Sequence, residues 1–145
     1  MLADRVKHKS DRHIWVEYRE GFFLKLKYIT PSEFRRLLKR VTVQEWDKQT
    51  HERKERHDDD KYREELASII LDWRGFSPKV QMSLFDMKEA PTEDEPYSPA
   101  SAHVLIEETY GFMRWLQETV MDIDLFNAYE AAERKKKSEP LSEEV

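Results

Sequence analysis

The chain contains no cysteine, only three glycines, and no apolar run of membrane-spanning length. Without cysteine there are no disulfides, no thiolate metal ligands and no cysteine nucleophile. Glycine at Gly21, Gly75 and Gly111 alone is too scattered for a phosphate-cradling loop, and nucleophile-elbow spacing is absent too. Residues 1–12 carry basic side chains but no apolar stretch of signal-peptide length. These absences predict a cytoplasmic protein that is not an enzyme, with no cofactor, no metal and no membrane contact.

What remains is wet but aromatic. Hydrophobic residues make up 39% and charged residues 38%, with Trp 4, Tyr 6 and Phe 7 among 145. So many rings argue against disorder, and the length suits one domain with one modest core. The net charge of -5 gives no overall pull toward phosphate backbones, which argues against a nucleic-acid binder. Residues 13–134 are expected to form the globular domain, with 1–12 a flexible arm and 135–145 a flexible tail.

Ile14, Val16 and Tyr18 share one face of a strand, and Phe22, Leu24, Leu26 and Tyr28 one face of another. Arg19-Glu20-Gly21 between them supplies the turn, so a β-hairpin is predicted. Thr30-Pro31-Ser32-Glu33 combines an N-cap, a first-turn proline and a capping-box glutamate, and Phe34, Leu37, Leu38 and Val41 come next at helical spacing. Thr42-Val43-Gln44-Glu45 repeats the capping pattern and carries Trp46 into a second helical segment. Residues 47–65 are almost entirely polar and read as an exposed charged helix or a loop, with Asp58-Asp59-Asp60 capping the next helix.

Tyr62, Leu66, Ile69, Ile70 and Trp73 then fall on one helical stripe that ends at Gly75. Residues 76–97 hold Pro78, Pro91 and Pro96 with the acidic Glu93-Asp94-Glu95, and read as a long mobile loop. Ser98-Pro99 opens a helix bearing Ala102, Leu105 and Ile106 and stopping at Gly111. A last helix runs from Phe112 through Trp115, Leu116, Val120 and Ile123 to Tyr129, with a recap near Asp122. The expected fold is therefore α+β and mainly α-helical, an N-terminal β-hairpin followed by about four to five helices.

Few side chains suggest chemistry. His51, Glu52, Glu55, His57 and Asp58 to Asp60 include metal-ligand types, but glutamate stands where a zinc protease needs its second histidine, and Arg53, Lys54 and Arg56 would repel a cation. A basic face of Lys25, Lys27 and Arg35 to Arg40 beside Trp15 or Trp46 could stack single strands, although the acidic total favours a solvated helix face. Gln81-Met82-Ser83-Leu84-Phe85 is similar to the Gln-x-x-Leu-Phe peptide that docks on the bacterial sliding clamp, with Gln81, Leu84 and Phe85 as its anchors.

From Tyr62 onward, the order of features resembles the tail assembly chaperones of long-tailed phages and prophages. An apolar helix ends in Ile69-Ile70-Leu71-Asp72-Trp73-Arg74-Gly75-Phe76. After it come a variable acidic loop, Pro96-Tyr97-Ser98-Pro99 and paired helices holding Leu105 and Phe112. The strand of 23–27, Tyr28-Ile29-Thr30-Pro31 and the next helix are similar as well. The resemblance implies a protein that binds the helical tape measure protein, keeps it soluble and helps recruit tail tube protein, all through exposed apolar surface. Phe22, Trp46, Phe85 and Trp115 are the candidates for that surface or for self-association. It also implies a ribosomal frameshift near the end of the gene, for which Lys135-Lys136-Lys137 could mark the slippery codons. The charged segment 47–65 departs from the pattern, and the resemblance assigns it no role. The alternative reading is a regulator docking on the replication clamp, or a nucleic-acid-associated module.

Overall fold

The computed structural model describes Leu2 and residues 12–138, so the expected arm before Arg12 and most of the expected tail lie outside the described residues. Strand β1 (His13–Arg19) and strand β2 (Phe22–Lys27) form the expected antiparallel hairpin. Its two-residue turn takes positive φ at both Glu20 (27°) and Gly21 (84°), the handedness that matches strand twist. β2 alternates cleanly, with Phe22, Leu24 and Leu26 fully buried and Phe23, Lys25 and Lys27 partly exposed. Thr30 caps helix α1 (Pro31–Arg40) by accepting from the Glu33 amide at 3.2 Å, while Glu33 reaches back to the Thr30 amide.

The expected second helical segment is a strand instead. β3 (Thr42–Asp47) pairs with β4 (Glu52–His57) as a separate antiparallel ribbon, and every residue of β4 is exposed. Thr42, Val43 and Trp46 favour extended backbone, and cross-strand charge does the rest: Arg56 meets Glu45 at 2.8 Å and Lys54 meets Asp47 at 3.2 Å. The Asp47 carboxylate also closes the turn, accepting from the amides of Gln49 and Thr50. Those amide bonds, reinforced by Lys54, hold its pKa below the usual aspartate value.

The expected helix up to Gly75 is also shorter than its apolar stripe. Asp58 caps helix α2 (Asp59–Ala67), which stops where the Ser68 hydroxyl bonds back to the Glu65 carbonyl, and the chain continues as strand β5 (Ile70–Arg74). The stripe from Leu66 to Trp73 is thus split between a helix and a strand. The open edge of β2 needs a partner, and β5 supplies it in the order β1-β2-β5. Helix α3 (Pro78–Leu84), helix α4 (Pro99–Glu108), helix α5 (Tyr110–Val120) and helix α6 (Ile123–Ser138) complete the chain. The break between α4 and α5 falls at Thr109, ahead of Gly111, and the recap near Asp122 is present, its carboxylate accepting from the Leu125 amide.

The mainly helical chain with one hairpin is thereby replaced, among the described residues, by six helices interleaved with five strands in two antiparallel sheets. The main core joins Phe22, Leu24 and Leu26 to Leu66, Ile70 and Trp73 and to Leu105, Phe112 and Leu116. A second cluster of Ile14, Tyr28 and Phe126 fastens α6 to β1. Among the described residues, no helix is long and apolar enough to cross a membrane.

Candidate protein-binding groove

Ser77 and Pro78 start α3 by the same rule as Thr30-Pro31 and Ser98-Pro99: the Ser77 hydroxyl accepts from the Val80 amide, and proline occupies a position whose amide would have no partner. The turn buries Val80 and Gln81 and leaves Met82 outside. Gln81 then organises the chain beyond it. Its side-chain amide donates to the carbonyls of Phe76 (2.9 Å) and Glu93 (3.0 Å). The Glu95 amide also donates to Phe76, the Trp73 indole donates to the Glu95 carbonyl at 2.8 Å, and the Tyr97 hydroxyl to the Ile70 carbonyl at 2.9 Å. Burial, with the Asp72 charge beside it, raises the Tyr97 pKa. Residues 76–97, expected as a long mobile loop, hold a helix and are tied to β5 through the Trp73 and Tyr97 bonds.

Between this segment and α4 lies an open groove of about 1030 Å³. Leu84 and Phe85 are half-buried on its inner side, the Phe85 ring 6.2 Å from Phe76. Met82 (58% exposed), Val104 (48%) and Met87 (42%) stand open to solvent along it. Its lining also carries four carboxylates, Asp86, Glu89, Glu95 and Glu108, against the single ammonium of Lys88. Flexible thioethers beside an acidic edge form a surface that moulds to apolar side chains.

The four candidates for exposed apolar surface fall in different places. Phe22 is fully buried, stacked on Phe76 at 4.3 Å, so it belongs to the core and is withdrawn as a surface residue. Trp115 is half-buried against Tyr18 and Phe112. Trp46 is 58% exposed on the charged ribbon, where His51 is its ring neighbour. Only Phe85 lines the groove. In the clamp-like peptide, the Gln81 amide that would have to reach a partner is buried and bonded within the chain. Met82 and Met87 were missed because the segment around them reads as polar and proline-broken, and Val104 because it lies off the Ala102, Leu105 and Ile106 face of its helix. The Ser77-Pro78 cap followed by Val80 and Leu84 at helical spacing was the signal that could have found α3.

Among the described residues, no three His, Asp or Glu side chains gather to hold a metal ion, and His103 meets only Glu107 one turn away. No family model, curated protein or solved structure matches the chain.

Proposed function

We propose that this chain is a phage or prophage tail assembly chaperone, acting in the cytoplasm of the bacterial host. It binds the tape measure protein, keeps it soluble and helps recruit tail tube subunits. The observation that carries the reading is the open groove in which Met82, Met87 and Val104 are exposed together. A long helical protein with an unpaired apolar face aggregates, and a groove of adaptable side chains covers such a face without chemistry. The order of sequence features from Tyr62 to Phe112 supports the same reading by resemblance. The exposed aromatic Trp46 on the β3–β4 ribbon offers a separate contact for tube protein or for a second copy.

The test is co-expression with the tape measure protein of the phage or prophage that carries this gene. Tape measure protein that stays soluble and co-purifies only when this chain is present supports the proposal. Tape measure protein of unchanged solubility, with no complex formed, overturns it.

A further inference from the structure

We propose that the groove between α3 and α4 selects an amphipathic helix whose apolar stripe is flanked by lysine or arginine. The choice of a helical occupant rests on the chaperone reading. The choice of charge comes from the groove itself.

Its apolar floor and its edge differ in kind. Leu84 and Phe85 are half-buried in the lining, and Met82, Met87 and Val104 are exposed along it, apolar groups of the kind that cover one face of an amphipathic helix. Asp86, Glu89 and Glu108 surround those groups, and among the described residues none of the three meets a cation within ion-pair distance. Glu95 is held by the Ser101 hydroxyl at 3.0 Å, and its backbone is fixed by Phe76 and Trp73, so that carboxylate is placed before any ligand arrives. Glu93 and Asp94, just before Glu95 in the chain, are exposed as well and add to the local negative charge. An approaching acidic helix would meet like charge along this edge, whereas basic flanks would be drawn in and paired.

The experiment uses the whole chain and three synthetic helices of about 18 residues, roughly five turns, that share one Leu/Met stripe and differ only in lysine, serine or glutamate flanks. Binding is followed through the methyl signals of Met82, Met87 and Val104. The lysine peptide is expected to shift all three and to bind at least about tenfold more tightly than the glutamate peptide, since an exposed pair contributes up to roughly fivefold and several are available. Its affinity should fall as salt rises from about 50 mM to about 500 mM, while the serine peptide changes little. The double substitution Glu89→Gln and Glu108→Gln should weaken the lysine peptide several-fold and leave the serine peptide unchanged. Equal affinity for all three peptides, or shifts confined to other surfaces, would overturn the inference. So would a free protein already dimeric through the groove, detected as a dimer in sedimentation that Met82→Asp dissociates. If the lysine peptide binds as expected but the tape measure protein is not held in solution, the chaperone reading falls and the charge selection stands. A soluble tape measure complex with charge-blind peptide binding gives the converse.

Discussion

A Cβ atom placed on Gly75 would lie 2.0 Å from the carbonyl oxygen of Gly21, so the end of β5 and the β1–β2 turn meet backbone to backbone. Gly75 also sits at φ +75°, where side chains are strained. Gly21 has similar backbone geometry, φ +84°, but open space around it. Gly75→Ala should therefore destabilise the fold by about 3 kcal/mol or more, and Gly21→Ala by only about 1 kcal/mol. Urea midpoints of the two variants check this, and equal losses would mean that the close approach contributes nothing.

Arg40 and Glu65 tie α1 to α2 through two parallel bonds, Nε to Oε1 at 3.0 Å and a terminal guanidinium nitrogen to Oε2 at 2.9 Å. The bond from Arg40 holds the Glu65 pKa below its ordinary value against the opposing effect of burial, and Arg40 is raised in return. A depressed carboxyl pKa stabilises the fold above the unfolded pKa and stops doing so as pH falls through the folded one. Solvent exposure of the pair and the negative end of the α2 dipole hold the contribution to roughly 0.2–1 kcal/mol. Glu65→Gln should thus be less stable than the native chain at neutral pH by that amount, with the gap closing below about pH 4. A gap that persists in acid would show that packing, and not the charge pair, is responsible.

Phe126 is the sole fully buried residue of α6 among those described, its ring 4.9 Å from Tyr28. Arg12 assists from outside by bonding Asn127 at 2.8 Å and Glu130, with its guanidinium over the Tyr28 ring. Removing so large a buried ring costs about 3 kcal/mol or more, and here the loss falls on a cluster separate from the main core. Phe126→Ala should release α6 locally, with amide exchange rising across 123–138 while 22–27 stays protected. Uniform acceleration across both segments would show that the two clusters open as one.

The sequence was legible where local signals and tertiary demands agree. Thr30-Pro31 and Ser98-Pro99 mark real helix starts, and alternation from Phe22 to Leu26 marks the central strand. It misled where they part. Ile69, Ile70 and Trp73 fit a helical stripe, yet the unpaired edge of β2 draws Ile70–Arg74 into the sheet, a choice set by residues far along the chain. The β3–β4 ribbon was hidden because charge pairs such as Arg56 with Glu45 take the place of alternating apolar residues, leaving no periodicity to read. The groove was only partly legible. Phe85 was singled out, but its exposed neighbours Met82, Met87 and Val104 become one surface only after α3 and α4 are set side by side.

The side-chain amide of Gln81 joins the Phe76 and Glu93 carbonyls, and the two acceptors stand differently. Phe76 also accepts from the Glu95 amide and keeps that partner in a Gln81→Ala variant, whereas Glu93 loses its bond from Gln81. A lost buried bond of this kind costs about 1–3 kcal/mol. Because α3 keeps its Ser77 cap and Val80 its burial, the cost should appear as loosening of 86–95 rather than as general unfolding. Hydrogen exchange and limited proteolysis in that segment should accelerate strongly while the β2 amides remain protected. The placement of Glu95 beside the groove would be disturbed in the same variant, so binding of a lysine-flanked helix should weaken even though no lining carboxylate has been removed. Exchange in 86–95 as slow as in the native chain would mean that the Trp73 and Tyr97 bonds suffice, and that Gln81 is not what holds the acidic edge in place.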